Sequence, residues 1–443
     1  MIQLRPRRPI SISIFLALAA ALSLLAACQG PQPAPPAAPA AEPAPPDLPV
    51  PLAQTRQEPV IRVRIRVAAT AVTLQATGRL GVRVTDAYGT SQTYAYRGTI
   101  QVRRASNAFL VGSDGRWMSF PGYRLIIQPL DADRLTVDGT TYPQSLTLES
   151  APSGPGSASF DIVNHVALER YLPGVLAREL YRNWNPQTFR AQAIAARSYA
   201  IAEIAAHRRL NLPFDVEATQ ASQVYAGVTV NPRALEAVAA TRGLVLTWQN
   251  QVIPGFFSAC CGGDGQNASD AFPGEPDLPP LRGRRHGAWC AACPSYRWGP
   301  LDRPRATLSQ RIAAWGRANR NSVQYLGLLS RIAIVARNAA QRPTRFALFD
   351  ITGRRYDLMA EEFRGACNFA APGLPHLTQA QLLKSSDADV RVLERVVQFY
   401  NGRGYGHGVG LCQWGAQAMA QKGYDALAIL AFYYPGATVT QAY

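Results

Sequence analysis

Three stretches of this chain hold residue types that do chemistry. The first runs Tyr171-Leu172-Pro173-Gly174-Val175-Leu176-Ala177-Arg178-Glu179, then Trp184, then Phe189-Arg190-Ala191-Gln192-Ala193-Ile194-Ala195-Ala196-Arg197-Ser198-Tyr199-Ala200. A glutamate held out of water can give a proton to a leaving oxygen and take one back. Arg190 and Arg197 stand seven apart, so they share one helix face. Such a face either lines a cleft or faces solvent as a salt-bridge set, and the second use is the commoner one.

The second stretch is Gly402-Arg403-Gly404-Tyr405-Gly406-His407-Gly408-Val409-Gly410-Leu411-Cys412-Gln413-Trp414-Gly415-Ala416. Glycine at alternate positions lets a backbone come close to a ligand or to another chain segment. No Gly-Lys-Ser/Thr ending follows, which excludes a phosphate-binding P-loop, and the spacing fails the dinucleotide fingerprint. A single histidine such as His407 is more often a hydrogen-bonded structural group than a catalyst.

The third stretch is a cysteine set. Besides Cys28 there are Cys260, Cys261, Cys290, Cys293, Cys367 and Cys412. His286-x3-Cys290-x2-Cys293, with Cys260 or Cys261 upstream, has the ligand types and spacing of a structural tetrahedral zinc site. An even count in an oxidising compartment suits disulfides equally. Both readings stand at this point.

The compartment follows from the first residues. Arg5, Arg7 and Arg8 precede an uncharged apolar run, Ile10 to Ala27, that ends in Leu25-Ala26-Ala27-Cys28. This reads as an export signal, 1–28, rather than a fold element, with an ordinary signal peptide or a single uncleaved membrane helix as the alternatives, each of which puts the rest outside the cytoplasm. A Cys after Leu-Ala-Ala resembles a bacterial lipobox, in which Cys28 is lipidated and becomes the new N-terminus. The chain is thus expected to be exported and anchored to a membrane through Cys28. In a diderm, Gln29 after the Cys points to the outer membrane and periplasm. Residues 29–60, rich in Pro and Ala, read as a disordered tether.

Beyond the tether the periodicity changes. Ile61-Arg62-Val63-Arg64-Ile65-Arg66-Val67 alternates as a half-buried strand does. Similar runs at Leu80–Val84, Thr93–Val102, Tyr123–Ile127 and Leu146–Leu148 make 61–155 a β-rich domain, with turns at Asp114-Gly115 and Asp138-Gly139. Residues 156–443 form the domain that holds the chemistry. Asn185 is a good N-cap and Pro186 a good first helical residue, so a helix is expected from there to about Arg209. A shorter helix over Val166 to Leu180 is expected to break near Pro173-Gly174. Leu308–Ala318 reads as a helix, and Val390–Phe399 as one strand. Gln413–Lys422 and Asp425–Tyr434 read as the last two helices. The fold class is α+β.

The formal charge is +16, almost all of it arginine, since the only lysines are Lys384 and Lys422. No basic run interleaves with aromatics, which argues against nucleic acid as a partner. Anionic cell-wall polymers and membrane surfaces remain suitable.

Taken together, the first two stretches resemble the SpoIID/LytB family of sporulation stage II protein D and amidase-enhancer proteins. Tyr171–Ala200 follows the family's first block, and Gly404–Ala416 with Tyr433-Tyr434-Pro435-Gly436 follows its last. Ala218–Gly227 and Phe257–Gly263 match the middle segments in order. The resemblance implies a SpoIID-like mixed α/β catalytic domain over 156–443. It also implies a peptidoglycan lytic transglycosylase that cleaves MurNAc-GlcNAc strands, preferably stripped of peptides, leaving 1,6-anhydro ends. The family's catalytic Glu falls on Glu179, and substrate contacts fall on Arg190, Arg197, Tyr405, His407 and Gln413.

The family's usual Lys is Arg190 here. Leu180-Tyr181 replaces its Met-Pro, and Cys412 replaces its Ser, as an unpaired buried thiol. Trp184, Tyr225, Tyr405 and Trp414 can stack on sugar rings or fill the core. No cofactor is required for the reaction. Family members that bind zinc do so near Ala218–Val224, where this chain has no ligands. The alternative implied activity is non-enzymatic: a peptidoglycan-binding amidase enhancer, with an amidase as partner.

Overall fold

The computed structural model describes residues 50–52, 57–85, 89–105, 107–150, 158–219 and 222–443. Cys28, the export segment 1–28 and most of the tether 29–60 lie outside the described residues. Among those described, no helix is long and apolar enough to cross a membrane.

The alternating N-terminal pattern forms strands, as its period requires. Val60–Ala69 buries Ile61, Val63 and Ile65 and turns its arginines the other way. Arg62 pairs with Asp215, and Arg64 with Asp161 and Glu217. An 11-stranded sheet grows from this strand. Its long hairpin, Ala71–Thr85 with Ser91–Arg104, continues into Ala108–Ser113 and Arg116–Pro121. The turns fall where expected: Asp114, Gly115, Asp138 and Gly139 all have positive φ.

The sheet does not stop at residue 155. Ser145–Ser150 pairs antiparallel with Phe160–Ala167, which in turn pairs with Val60–Ala69. Val216–Glu217 adds a parallel edge beside the latter. One hydrophobic core therefore runs from the N-terminal strands through the helices that follow. A second, separate core gathers residues between Leu308 and Phe399. The molecule is α+β, with a β-rich N-terminal region.

Seven helices matter for the site or its support: α1 (Leu168–Glu179), α2 (Pro186–Arg209), α3 (Pro232–Ala240), α4 (Arg305–Ala318), α5 (Ala360–Asn368), α6 (Gln413–Gln421) and α7 (Ala426–Tyr433). The Asn185 side chain accepts from the Gln187 amide and caps α2, with Pro186 in its first turn. Helix α2 is buried along nearly its whole length and packs on α1, α3, α6 and α7.

Two expectations needed correction. Helix α1 runs unbroken through Pro173. Proline removes one donor there, and the buried contacts of Tyr171, Leu172, Val175 and Leu176 hold the helix regardless. Gly174 lies so close to the Gly227 carbonyl that a Cβ would strike it. The Val390–Phe399 strand is instead a hairpin, Asp389–Val392 with Val396–Tyr400. Its turn is closed by the Leu393 amide on the Val396 carbonyl at 2.8 Å.

Candidate active site

Glu179 is the last residue of α1. Leu180 drops out of helical geometry into an extended conformation, and the chain turns through Tyr181–Trp184 to start α2. This leaves the Glu179 carboxyl at the junction of three segments far apart in sequence. Its Oε2 accepts from Gln413 Nε2 at 3.0 Å, at the first position of α6. Its Oε1 accepts from the Val224 amide at 3.4 Å. The Val224 segment is itself held by Tyr171, whose hydroxyl donates to Gln223 Oε1 at 3.1 Å. Gln192 of α2 stands behind Gln413, with 3.5 Å between Oε1 and Nε2.

Glu179 is 6% exposed. Burial pushes its carboxyl up to about 7, and the two donors from Gln413 and Val224 offset only part of that rise. A carboxylic acid poised there can donate a proton near neutral pH and then act as a base.

The carboxyl opens on a pocket of about 400 Å³ lined by Arg178, Tyr181, Trp184, Ala259, Cys293, Gln379, Tyr405, Gln413 and Trp414, among others. Glu179 is the one acid in that lining among the described residues. Three aromatic rings meet at its edge. Trp184 and Trp414 lie edge-to-face with centroids 5.3 Å apart, and Tyr181 touches both, at 5.2 and 5.9 Å. Flat apolar faces beside hydrogen-bonding groups suit a sugar ring.

Of the residues expected at the site, Glu179, Tyr405 and Gln413 come together, with Trp184 and Trp414. Arg190 does not line the pocket. It is half-exposed and pairs with Glu236 at 3.1 Å. Arg197 is fully buried and committed elsewhere: its guanidinium grips both oxygens of Glu169 at 2.8 and 2.9 Å and donates to the Leu244 carbonyl at 3.0 Å. A substrate cannot reach it. His407 is also fully buried, behind the pocket wall. Its Nδ1 accepts from the Val409 amide at 3.0 Å, and its ring packs on Phe272. Tyr225 fills the core between Tyr142 and Tyr171.

The glycine-rich loop serves packing. A Cβ at Gly404 would meet the Cys260 carbonyl, and one at Gly408 would meet Arg342. Tyr181, the most exposed ring at the pocket, was not singled out from sequence. Its position two residues after Glu179 was the only signal.

Five of the cysteines gather in the same wall, with Cys293 at the pocket itself. Cys261, Cys290 and Cys412 put their sulfurs within 4.8 Å of one another. Cys260 interacts with Cys290, Cys293 and Cys412. His286 is not part of this group; its ring packs on Tyr433 and Phe432. Cys412, expected to be unpaired, sits in the middle of it, whereas Cys367 lies in the second core.

Residues 157–248 match the family model SpoIID, Stage II sporulation protein. The chain is 29% identical to an uncharacterised protein of Brachyspira hyodysenteriae over 69% of this chain and 74% of that one. It is 26% identical to Stage II sporulation protein D of Bacillus subtilis, over 68% and 84%. It is 24% identical to the amidase enhancer of the same organism, over 61% of this chain and 40% of the relative. The SpoIID match and these relatives support the SpoIID/LytB family for this chain.

Proposed function

We propose that this SpoIID-family chain is a peptidoglycan lytic transglycosylase, with Glu179 as its acid and base. The observation that carries the reading is a single buried carboxyl, raised to about 7, in an aromatic-rimmed pocket with no second acid in its lining among the described residues. Hydrolytic glycosidases as a rule need two carboxyl groups, one to protonate the leaving oxygen and one to activate water or attack the sugar. A lytic transglycosylase needs one. Glu179 gives its proton to the glycosidic oxygen as the bond to the anomeric carbon breaks. The resulting carboxylate takes the proton of the sugar's own 6-hydroxyl, whose oxygen closes on the anomeric carbon. The products are a shortened strand and a 1,6-anhydro end, and Glu179 is returned protonated.

Gln413 and the Val224 amide hold the carboxyl in place and stabilise its charged form between the two steps. Trp184, Trp414 and Tyr181 are assigned to the sugar rings, and Tyr405 to the opposite wall. Export and a lipid anchor at Cys28 belong to the same proposal and place the domain beside its polymer.

The test is mass spectrometry of glycan strands, with and without stem peptides, after incubation with the full chain. Ends one water lighter than hydrolysed ends support the reading, and hydrolysed ends alone refute it. A second reading, a peptidoglycan-binding protein that stimulates an amidase, draws on the name of the Bacillus subtilis amidase enhancer. It predicts that stimulation survives Glu179→Gln.

A further inference from the structure

The thiol cluster in the pocket wall has no part in the chemistry above. Five of the chain's cysteines converge there from three segments: Cys260 and Cys261, Cys290 and Cys293, and Cys412. All are buried. Cys261 Sγ and Cys290 Sγ are 3.6 Å apart. A disulfide needs about 2.05 Å between sulfurs. Four thiolates held tetrahedrally at about 2.3 Å from one zinc ion stand about 3.8 Å from each other. The observed separation matches the edge of such a tetrahedron.

The third sulfur, of Cys412, lies within 4.8 Å of both. Three thiols in mutual reach cannot all be satisfied by one disulfide, but they can share one ion. The same closeness favours a single ion over an iron–sulfur cluster, whose cysteines are spread across several metals.

The surroundings are built for thiolate. The Cys261 amide donates to Cys412 Sγ at 3.3 Å, and the Ser295 amide to Cys293 Sγ at 3.4 Å. The second bond sits on the Cys290-x2-Cys293 turn, where the Cys293 amide donates to the Cys290 carbonyl at 3.0 Å. Amides aimed at sulfur stabilise ligated thiolates and fix their direction.

We propose that Cys261, Cys290 and Cys412 bind one structural zinc ion as three of four thiolates, with one of Cys260 and Cys293, whose thiols adjoin, supplying the fourth. Binding releases the thiol protons as four zinc–sulfur bonds form, with no redox change. The site is closed, since four protein ligands leave no position for water or substrate. Its role is positional. Cys412 immediately precedes Gln413, the donor to Glu179, and Cys293 itself lines the pocket. Cys260 and Tyr405 exchange backbone hydrogen bonds at 3.0 and 2.8 Å. One ion would thus pin the wall opposite α1.

The inference stands apart from the reaction, because its readout is metal content. The full chain, purified without added metal or chelator, is analysed for elements and by X-ray absorption. The expected result is about one zinc per folded chain, with four sulfur neighbours at about 2.3 Å. Cys290→Ser and Cys412→Ser each lose at least nine-tenths of the zinc, and of Cys260→Ser and Cys293→Ser one loses it and the other keeps it. Should the first two variants fail to fold, the absorption spectrum of the wild type decides alone. A folded, metal-free wild type, a shell rich in nitrogen or oxygen, or a Cys412→Ser protein that keeps its zinc would each overturn the proposal.

Discussion

Gln413 Nε2 donates to Glu179 Oε2 across 3.0 Å, joining residues 234 positions apart in the chain. This bond ties the start of α6 to the end of α1, and it acts on the charged form of the carboxyl. Removing the donor in Gln413→Ala leaves that form less stabilised, so the Glu179 pKa rises further. The turnover limb that falls with rising pH should then move to higher pH, while the maximal rate drops roughly tenfold for one lost hydrogen bond and looser positioning. A pH–rate profile of both proteins checks this. An unmoved limb would mean that Gln413 does not govern the acid.

The raised pKa of Glu179 also reads out in stability. Its folded value, about 7, lies above its ordinary value of 4.5 because burial disfavours the charge. Stability from this group is fully present below about pH 4.5 and is lost as pH rises toward 7, levelling off above. Glu179→Gln stays neutral and escapes the loss. The variant should equal the wild type at pH 4 and exceed it by up to about 3 kcal/mol at pH 8. Denaturant unfolding at the two pH values measures the difference. Parallel curves at both would contradict the burial argument.

Tyr181 is 60% exposed, with its ring against Trp184 and Trp414. Tyr181→Ala should leave the melting temperature almost unchanged. It should raise KM for glycan about fivefold, the worth of one aromatic contact. An unchanged KM would remove the aromatic edge from the substrate path.

The two arginines of α2 should behave oppositely. Arg197→Ala strands Glu169 in a buried site and should cost about 3–5 kcal/mol in unfolding experiments. Arg197→Lys should recover little, because lysine cannot grip both carboxylate oxygens. Arg190→Ala breaks only an exposed pair with Glu236, worth ~0–1 kcal/mol, and should leave KM within about twofold. A large KM effect from Arg190→Ala would return that residue to the binding site.

Local signals were legible where local chemistry decides. The Asn185-Pro186 start of α2, the Asp-Gly turns and the alternating strand at Ile61–Val67 all follow from the residues themselves. Glu179 stands out in the sequence through the order of its surrounding blocks. Its raised pKa does not, because the burial comes from Val224 and Gln413, which arrive from 45 and 234 residues away.

Arg197 and His407 looked like substrate contacts because motif matching reports which residues recur, not whether they face a pocket or a core. The same limit hid the company kept by Cys412. Its neighbour Cys261 reaches it through strand pairing at Phe257–Ser258 with Leu411–Cys412, and Cys290 arrives on the Gly287–Cys290 turn that packs on α6. That parallel pair joins segments with no sequence relation. Pro173 misled in the other direction, since tertiary packing outweighs one missing hydrogen bond.

The most direct test of the central claim compares wild type with Glu179→Gln on peptide-stripped glycan strands, full chain in each case, with products identified by mass spectrometry. The account predicts 1,6-anhydro ends from the wild type and none from the variant, while the variant still binds the strands. Equal cleavage by both proteins, or no cleavage by a folded wild type that binds the strands, would contradict it.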